Sequence, residues 1–389
     1  MHVVVNTLSV TPDRGGVKTY LLNLLDGLLA QDEEKKITLL CSEQNKQLFS
    51  ILDREWACVV RAVFPLRGDH PALRIFFDQV VVPLYCRRHP DAVLLSQAST
   101  SSLMAPLSEV VIIQVPLSVR SIRNEVPSGA DTTSWLQGLY YDTMLPLTLW
   151  RAEEVVAVSD HLRQKILKLY PRFAHKLRTV HEGVNLDSFA TNLRNEQSES
   201  CASAEPYLLF VSTLFPYKRA DQAIRAFARA ANREGAKNLR LKLAGKDPNG
   251  ESHRLRRIAH EEKVLDRVDV LGGVPHDEVP ELYREAEALL FPSTVETFGL
   301  PVLEAMACGT PVIASDRMSV PEIVGDAGLI VDPDDTTALT DAICRLLNDE
   351  SLGEELREAG KKRVQQFTWE RTARGVWKAL EDAKESATT

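Results

Sequence analysis

The chain has 389 residues, of which 44% are hydrophobic and 26% are charged, and its formal net charge is -8 at pH 7. This composition is typical of a folded globular protein and excludes an intrinsically disordered one. The excess of acidic residues argues against general nucleic-acid binding, which depends on clustered Lys and Arg. Domains usually contain about 100–200 residues, so the length predicts two of them.

The cysteines and the first residues indicate where the protein works. Six cysteines lie scattered along the sequence without a C-x-x-C pair, a distribution typical of reduced cysteines in a cytosolic protein. The strand-like run HVVVNTL follows Met1 directly, without the basic and apolar regions of a signal peptide. We therefore expect a protein that remains in the cytoplasm.

Short β-branched runs separated by helical stretches organise the first half of the chain. They read HVVVNTL, KITLLCS, ACVVRAVF, DAVLLSQ, VVIIQVP, EEVVAVS and LRTVHEG. Such alternation predicts a parallel sheet with helices on both faces, so residues 1–190 are expected to form a Rossmann-like, doubly wound domain. The apolar residues 75–86, followed by Arg87 and Arg88, are too few to span a membrane and predict a core helix.

The pattern is interrupted and then repeated in the second half. Residues 191–206 are polar and Ser-rich, which predicts a linker. The runs that follow are YLLFVST, LRLKLAGK, RVDVLGG, EALLFPS, PVIAS and GLIVD. They predict a second doubly wound α/β domain over residues 207–370, and residues 371–389 predict a C-terminal helix able to cross back to the first domain. Ligands of open α/β sheets bind beyond the carboxyl ends of the strands, so we expect the site in a cleft between the two domains.

One segment of the second domain combines a strand end, an acidic loop and a helix start. A strand ends in EALLFPS, Glu296 lies in the loop after it, and a helix is predicted over residues 301–309. The dipole of a helix favours an anion at its N-terminus, where backbone N–H groups point outward. The N–H groups expected to face a diphosphate here belong to Phe298, Gly299 and Leu300.

Two glutamates flank this helix start, Glu296 and Glu304. Carboxylates accept hydrogen bonds from hydroxyl groups, so the pair suits a ligand with hydroxyls at both ends of a diphosphate. An alternative interpretation makes Glu296 a solvated loop acid and Glu304 an acid that complements the helix dipole. These features taken alone favour that alternative.

The run ETFGLPVLEAMACGTPVIA resembles the E-x7-E signature of glycosyltransferase family 4, whose members are retaining enzymes of the GT-B fold. The likeness extends over nearly the whole chain, through the segments GGV, VAVSDHL, HEGVN and FVSTLFPYKRADQAI. The resemblance implies two Rossmann-like domains that face each other across a cleft. It also implies transfer of a sugar from a nucleotide diphosphate sugar with retention of its anomeric configuration.

The resemblance also implies roles for individual charged residues. Glu296 matches the glutamate that lies near the transferred sugar, and Glu304 matches the glutamate that binds the ribose hydroxyls. Lys218 matches the phosphate-contacting lysine of the family, and Arg219 beside it offers a second donor to phosphate. Without the resemblance, such a Lys-Arg pair most often faces solvent. The expected catalytic residues are therefore Glu296, Lys218 and Arg219.

Two glycine-containing segments complete the expected donor site. Gly15 and Gly16 match the glycine loop of the family, which lets the backbone approach donor and acceptor. Backbone near the segment LGGVP often holds the base in the family, which makes Val274 the candidate for that contact. Turns at the ends of strands explain both segments equally well.

The chain departs from the family pattern at two places. Thr213 stands where many members have an arginine, a charge that Arg219 is placed to replace. Residues 114–116 stand where many members have a His-Asp pair, so Gln114 becomes a candidate on the acceptor side. His161 in SDHL is a second such candidate, and an exposed histidine after a helix cap explains it at least as well.

The ligands implied by the resemblance are a UDP- or GDP-sugar and a glycan acceptor, and the form STLFPYK is similar to members that act on mannose-like sugars. Apolar residues between 119 and 145 permit a lipid-linked acceptor and a peripheral contact with the inner membrane face, although packing explains them as well. The acidic residues 332–335 predict a turn and a helix N-cap rather than a metal site. We therefore expect no metal and no further cofactor.

Two other functions are compatible with the same sequence. A sugar-nucleotide epimerase or a phosphorylase would keep the fold, and would isomerise the donor without acceptor or depend on inorganic phosphate or pyridoxal. The context of the E-x7-E run disfavours both. A noncatalytic subunit that binds the donor without turnover is compatible with Thr213 and with the missing His-Asp pair.

Overall fold

The computed structural model describes most of the chain. The described residues are 1–8, 10, 15–30, 36–49, 58–64, 71–97, 99–114, 135–190, 205–233 and 238–386. Residues 191–204 of the predicted linker and residues 115–134 lie outside them, and with them the expectations for residues 115 and 116 and for much of the apolar stretch 119–145.

Thirteen strands of the described chain form two parallel sheets. They are β1 (His2–Asn6), β2 (Lys36–Ser42), β3 (Cys58–Phe64), β4 (Val93–Ser96), β5 (Glu109–Ile113), β6 (Glu154–Ala157), β7 (Leu177–Thr179), β8 (Tyr207–Val211), β9 (Arg240–Ala244), β10 (Val268–Gly272), β11 (Ala288–Phe291), β12 (Val312–Ser315) and β13 (Leu329–Val331). Strands such as β4 and β5 are buried along their whole length, as expected for parallel sheets that helices cover on both faces.

Helices connect these strands. The α-helices are α1 (Gly15–Ala30), α2 (Pro71–Phe76), α3 (Val82–Cys86), α4 (Trp135–Arg151), α5 (Asp160–Leu169), α6 (Leu186–Ala190), α7 (Ala220–Ala231), α8 (Glu251–Glu261), α9 (Val279–Glu285), α10 (Leu300–Ala307), α11 (Val320–Val324), α12 (Thr336–Asn348), α13 (Glu350–Val364) and α14 (Trp369–Ser386). A π-helix, Phe77–Val81, joins α2 to α3, and short 3₁₀ turns lie at Pro171–Lys176, Pro216–Lys218 and Leu265–Arg267.

Both sheets have the doubly wound strand order. The first runs β3-β2-β1-β4-β5-β6-β7 and the second runs β10-β9-β8-β11-β12-β13. In each sheet the winding changes direction between two neighbouring strands, β1 and β4 in the first and β8 and β11 in the second. The prediction of two doubly wound parallel sheets is confirmed, and ligands of such sheets bind beyond the carboxyl ends of the strands at this point.

The chain divides into two compact units. The first unit contains the described residues of Met1–Ile122, Thr133–Gly183 and Trp369–Thr389, and the second unit contains those of Val184–Thr368. Within the first unit α14 packs against α1, where the Tyr20 and Trp369 rings meet edge to face at 5.5 Å. A Cβ on Gly27 would lie 3.0 Å from the Cβ of Ala373, so glycine there allows the two helices to approach closely.

The apolar stretch at residues 75–86 is helical, and only one side of it belongs to a core. Phe77, Val82 and Cys86 are buried, whereas Phe76 and Leu84 are each 52% exposed. The expectation of a core helix is therefore right for the inner face alone. None of the helices in the described residues combines the length and the apolar character that a membrane crossing requires.

Candidate active site

The centre of the second sheet brings two of the predicted residues together. The neighbouring strands β8 and β11 end at Val211 and Phe291, and the loops after them carry Lys218 and Glu296. The Lys218 ammonium forms an ion pair with Glu296 Oε1, and the side chains are only 14% and 12% exposed. The winding changes direction between β8 and β11, so the loops after these two strands lie side by side. Two charged residues that are 78 residues apart in sequence therefore form an ion pair.

Hydrogen bonds fix the loop that carries Glu296. The backbone N–H and the hydroxyl of Thr294 both donate to the carbonyl oxygen of Tyr217, at 2.9 and 3.0 Å. The hydroxyl of Ser319 lies 3.0 Å from the carbonyl oxygens of Glu296 and Phe298. These bonds tie the loop after β11 to the loop after β8 and to the segment before α11, so the geometry around Glu296 is set before any ligand arrives.

The helix start that follows has the predicted form. Gly299 has a φ of 114° and precedes α10, whose first turn contains Pro301. A positive φ is favourable for glycine, and proline suits a position whose N–H has no partner within the helix. Phe298 is buried, with its ring edge-on to Phe367 at 6.0 Å, while Leu300 is half-buried as the first helical residue.

Glu304 lies one turn into α10 and has a buried partner. The hydroxyl of Tyr283, on α9, donates to Glu304 Oε2 at 3.0 Å, and Tyr283 itself is fully buried. Burial raises the pKa of Glu304 to about 7, and the hydrogen bond from Tyr283 opposes that rise. The carboxyl group therefore changes its charge near neutral pH.

Arg219 follows Lys218 directly in sequence, but its side chain has different ion-pair partners. It adopts a left-handed backbone conformation with a φ of 57°. Its guanidinium pairs with Asp334 and lies 3.5 Å from Asp221 Oδ1. The structure thus holds Arg219 between two carboxylates, and its contact with phosphate stays a prediction.

The acidic residues 332–335 form the predicted turn and cap. Asp335 accepts hydrogen bonds from the N–H groups of Thr337 and Ala338 at 2.9 and 3.0 Å and so caps α12. Asp332 pairs with Arg317 at 2.7 Å. The prediction of a turn with a helix N-cap is confirmed.

One residue of this site was missed by the sequence reasoning. Gly245 follows β9, and a Cβ there would lie 1.8 Å from the carbonyl oxygen of Ser212, in the loop after β8. The N–H of Gly245 also donates to the carbonyl oxygen of Gly272 at 2.7 Å. Gly245 therefore lets three strand ends converge, and the glycine directly after LRLKLA was the signal that could have revealed it.

Val274 is half-buried in the segment after β10.

The first unit places its candidates at strand ends and helix starts. Gly15 and Gly16 open α1, and nothing described lies within 4 Å of a Cβ built on Gly16. Gln114 follows β5 and is buried. His161 is half-buried in the first turn of α5, where Ser159 caps the helix by accepting from the N–H of Leu162.

Gln114 belongs to a buried polar cluster. Its side-chain oxygen accepts a hydrogen bond from Gln97 Nε2 at 2.9 Å, and its own Nε2 donates to Glu182 Oε1 at 3.2 Å. Gln97 Nε2 also donates to the carbonyl oxygen of Val17 in α1 at 3.0 Å. Gln97 Oε1 is buried and has no hydrogen-bond partner among the described residues.

Known proteins resemble the chain in sequence. A family model described as glycosyl transferases group 1 matches residues 193–363. O-antigen chain mannosyltransferase B of Escherichia coli is 33% identical over 235 residues, which are 59% of this chain and 61% of that protein. A D-inositol 3-phosphate glycosyltransferase of Corynebacterium glutamicum (strain R) is 34% identical over 292 residues, 72% of this chain and 69% of that protein. The match thus spans less than two thirds of the Escherichia coli relative.

Solved structures share the fold over the whole chain. Sucrose-phosphate synthase from Thermosynechococcus elongatus aligns with a TM-score of 0.77 and 22% identity over 100% of both chains. Anabaena HepE, solved in complex with UDP and glucose, aligns with a TM-score of 0.74 and 18% identity over 98% of this chain and 99% of that one. These alignments show that the chain has the GT-B fold. The chain belongs to the family of group 1 glycosyl transferases.

Proposed function

We propose that the chain transfers a sugar from a nucleotide diphosphate sugar to a glycan or lipid-linked glycan, with retention of configuration and without a metal ion. The observation that carries the proposal is the Lys218–Glu296 pair beyond the central strands of the second sheet, next to the N-terminus of α10. The name of the Escherichia coli mannosyltransferase favours a mannose-like sugar, and the UDP bound to Anabaena HepE favours a nucleotide donor.

The ion pair suggests how the donor enters. Lys218 and Glu296 neutralise each other in the structure. A diphosphate at the N-terminus of α10 would compete with Glu296 for the Lys218 ammonium, since phosphate oxygens accept strong charge-assisted hydrogen bonds. The carboxylate of Glu296, once released, would accept hydrogen bonds from hydroxyls of the sugar. Glu304 would accept hydrogen bonds from the ribose at the other end of the diphosphate.

The same groups would stabilise the departure of the nucleotide. As the bond between the anomeric carbon and the diphosphate breaks, negative charge grows on the phosphate oxygens. Lys218 and the N–H groups at the start of α10 would face that charge, and removing one such preorganised donor typically costs about 3–4 kcal/mol of activation free energy. Retention would follow from attack of the acceptor hydroxyl on the face that the diphosphate leaves, with the hydroxyl proton passing to a phosphate oxygen.

The first unit would bind the acceptor. Gln97 Oε1 is a buried hydrogen-bond acceptor without a described partner, next to Gln114 and Glu182. A hydroxyl of the acceptor would satisfy it, since leaving a buried polar group unpaired costs about 1–3 kcal/mol. A Cβ on Gly16 would have no described atom within 4 Å, which is consistent with a ligand that approaches the backbone there.

The partners of the acidic residues 332–335 support a reaction that needs no metal ion. Asp332 pairs with Arg317, Asp334 pairs with Arg219, and Asp335 caps α12. Each carboxylate of this D-x-D-like run therefore already has a cationic or N–H partner, and a divalent ion would have to displace them.

A nucleotide-sugar binding screen tests the proposal. Purified protein is titrated with UDP- and GDP-sugars in the presence of a chelator, and the donor that binds is then incubated with glycan and lipid-linked acceptors. We expect a product heavier by one sugar in mass spectrometry, with the anomeric configuration of the donor in NMR. Product of inverted configuration, or turnover that requires added metal, would overturn the corresponding part of the proposal.

A further inference from the structure

The outer face of the helical segment at residues 71–86 is apolar and exposed. Its side chains lie three or four residues apart, a spacing that puts them on one side of a helix. They are Leu73, Phe76, Val80 and Leu84, exposed by 43%, 52%, 38% and 52%. The acidic residue of the segment, Asp78, is buried instead and accepts a hydrogen bond from Asn6 at 2.9 Å.

The loop between β4 and β5 extends this exposed face. Gln79 donates from Nε2 to the carbonyl oxygen of Ser101 at 2.9 Å and accepts from the N–H of Leu103 at 3.0 Å, so the loop is fastened along the helical segment. Met104, the next residue of the loop, is 66% exposed. An unbranched apolar side chain therefore stands beside the exposed helix face.

Helix α4 continues the face on the other side of the loop. The N–H of Ser101 donates to the hydroxyl of Thr148 at 2.9 Å, which holds α4 against the loop. Leu147 and Trp150 on α4 are 39% and 69% exposed. Right-handed crossovers place the β3-to-β4 and β5-to-β6 connections on the same side of the sheet. The exposed side chains thus form one surface, which we call the apolar surface: Leu73, Phe76, Val80, Leu84, Met104, Leu147 and Trp150.

Cationic residues lie at both ends of the apolar surface. Arg87 and Arg88 are exposed directly after α3. At the other end, Lys176 donates to the carbonyl oxygen of Trp150 at 3.2 Å, which brings the turn Pro171–Lys176 and its exposed Arg172 next to that tryptophan. Among the described side chains of residues 71–88, the exposed ones are all apolar or cationic.

We propose that the apolar surface docks on a lipid bilayer that contains anionic headgroups. An amphipathic helical face with large apolar residues on one side and cations at its margins binds in the interface of such a bilayer. Trp150 suits the boundary because its ring is apolar and its N–H is polar. The inference rests on the first unit alone and holds whichever donor the second unit takes.

Flotation with vesicles tests the proposal. The full chain is mixed with vesicles of phosphatidylglycerol and phosphatidylethanolamine, and separately with vesicles of phosphatidylcholine. We expect the wild type to float with the anionic vesicles. The double variant Phe76→Gln/Leu84→Gln should bind these vesicles with an affinity at least about ten-fold lower. The matched control is Leu265→Gln in the second unit, where the leucine is 40% exposed, and it should bind like the wild type.

A second pair of variants tests the cations. Arg87→Glu/Arg88→Glu should weaken binding to anionic vesicles several-fold, by an amount that shrinks as salt is added. Arg257→Glu, a 71% exposed arginine of the second unit, is the control. All variants should keep the wild-type melting temperature and the wild-type affinity for the donor, which separates this proposal from the one on the reaction.

Three results would overturn the proposal. One is a wild-type chain that does not float with anionic vesicles at low salt. Another is unchanged flotation of the Phe76→Gln/Leu84→Gln variant. The third is sedimentation of the wild type as a dimer that this double variant dissociates, without vesicle binding, which would assign the apolar surface to a second copy of the chain.

Discussion

Both units carry polar side chains just beyond the carboxyl ends of their central strands. In the second unit these are the opposite charges of Lys218 and Glu296. In the first unit they are the neutral amides of Gln97 and Gln114, with Glu182 at the end of the chain of hydrogen bonds. The second sheet repeats the order of the first six strands of the first sheet, so the difference arises in the loops.

The two units present different chemical groups at equivalent strand ends. A cation paired with the loop that leads into α10 suits a ligand that carries negative charge. Amides offer both donors and acceptors without charge, and they suit a ligand rich in hydroxyls. The surfaces differ as well: of the fifteen large apolar residues found exposed in the described chain, only Leu265, Leu271 and Ile330 lie in the second unit.

The largest expected effect is a loss of turnover when a residue of the second unit, Lys218, is replaced. Lys218→Ala should lower kcat by about 100- to 1000-fold, because the departing diphosphate loses a preorganised cation. The exposed lysine of the Lys361–Glu358 pair gives the control Lys361→Ala, which should leave kcat unchanged. Turnover close to the wild type at saturating donor, in a folded variant, would remove Lys218 from the reaction.

A pair of glycine substitutions compares the two units in stability. Gly245→Ala should lower the free energy of unfolding by about 2–4 kcal/mol, since its Cβ would collide with the Ser212 carbonyl oxygen and the backbone must move. No atom of the described residues lies within 4 Å of a Cβ on Gly16, so Gly16→Ala should change that free energy by less than about 1 kcal/mol. Chemical denaturation measures both. Equal losses in the two variants would contradict the close approach at Gly245.

Glu304→Gln should separate binding from stability. We expect donor affinity to fall by about 10- to 100-fold, because the carboxylate is the proposed acceptor for the ribose hydroxyls. Calorimetric titration with the nucleotide measures this, with Glu281→Gln on the exposed side of α9 as the control. An unchanged dissociation constant would make Glu304 a structural residue.

The pKa of Glu304 contributes to the pH dependence of stability. The group titrates near 4.5 in an unfolded chain and near 7 in the folded one. Between these values Glu304 keeps a proton in the folded chain that it has lost in the unfolded chain, so its contribution to stability falls as pH rises from about 5 to 7. Glu304→Gln should therefore be more stable than the wild type by up to about 3 kcal/mol at about pH 8, an advantage that disappears below about pH 4.5.

Tyr283→Phe refines this prediction. The variant lacks the hydroxyl group whose hydrogen bond lowers the pKa of Glu304, so that pKa should rise. The pH at which donor affinity is half-maximal should rise with it. Tyr207→Phe is the control, because the Tyr207 hydroxyl donates to a backbone carbonyl of Leu282 instead. An identical pH midpoint in wild type and Tyr283→Phe would contradict the coupling.

The smallest expected effect lies in the first unit. Gln114→Ala should raise KM for the acceptor by about three- to ten-fold, because that factor corresponds to the free energy of one neutral hydrogen bond. The dissociation constant of the donor should stay unchanged. Steady-state kinetics at saturating donor measure the first value, with Gln164→Ala on the exposed side of α5 as the control. A loss of donor affinity instead would move Gln114 to the donor side.

Sequence reasoning found much of the second unit because its signals are local. The start of α10 at Gly299 and Pro301 follows from backbone preferences of those two residues. The partners of the charged residues could not be found in the same way. Nothing in the sequence indicates that Arg219 meets Asp334, or that Tyr283 reaches Glu304, since these contacts depend on how separate loops and helices pack.

The sequence by itself determined two doubly wound parallel sheets and the segment that carries the E-x7-E run, because periodic apolar patterns and helix caps act over a few residues. Only the tertiary structure decided which distant charges pair, why Gly245 must lack a side chain, and which face of the helical segment at residues 71–86 stays exposed. The physical reason is that strand order brings loop ends together across many tens of residues, and that burial is a property of the assembled layers rather than of a local pattern.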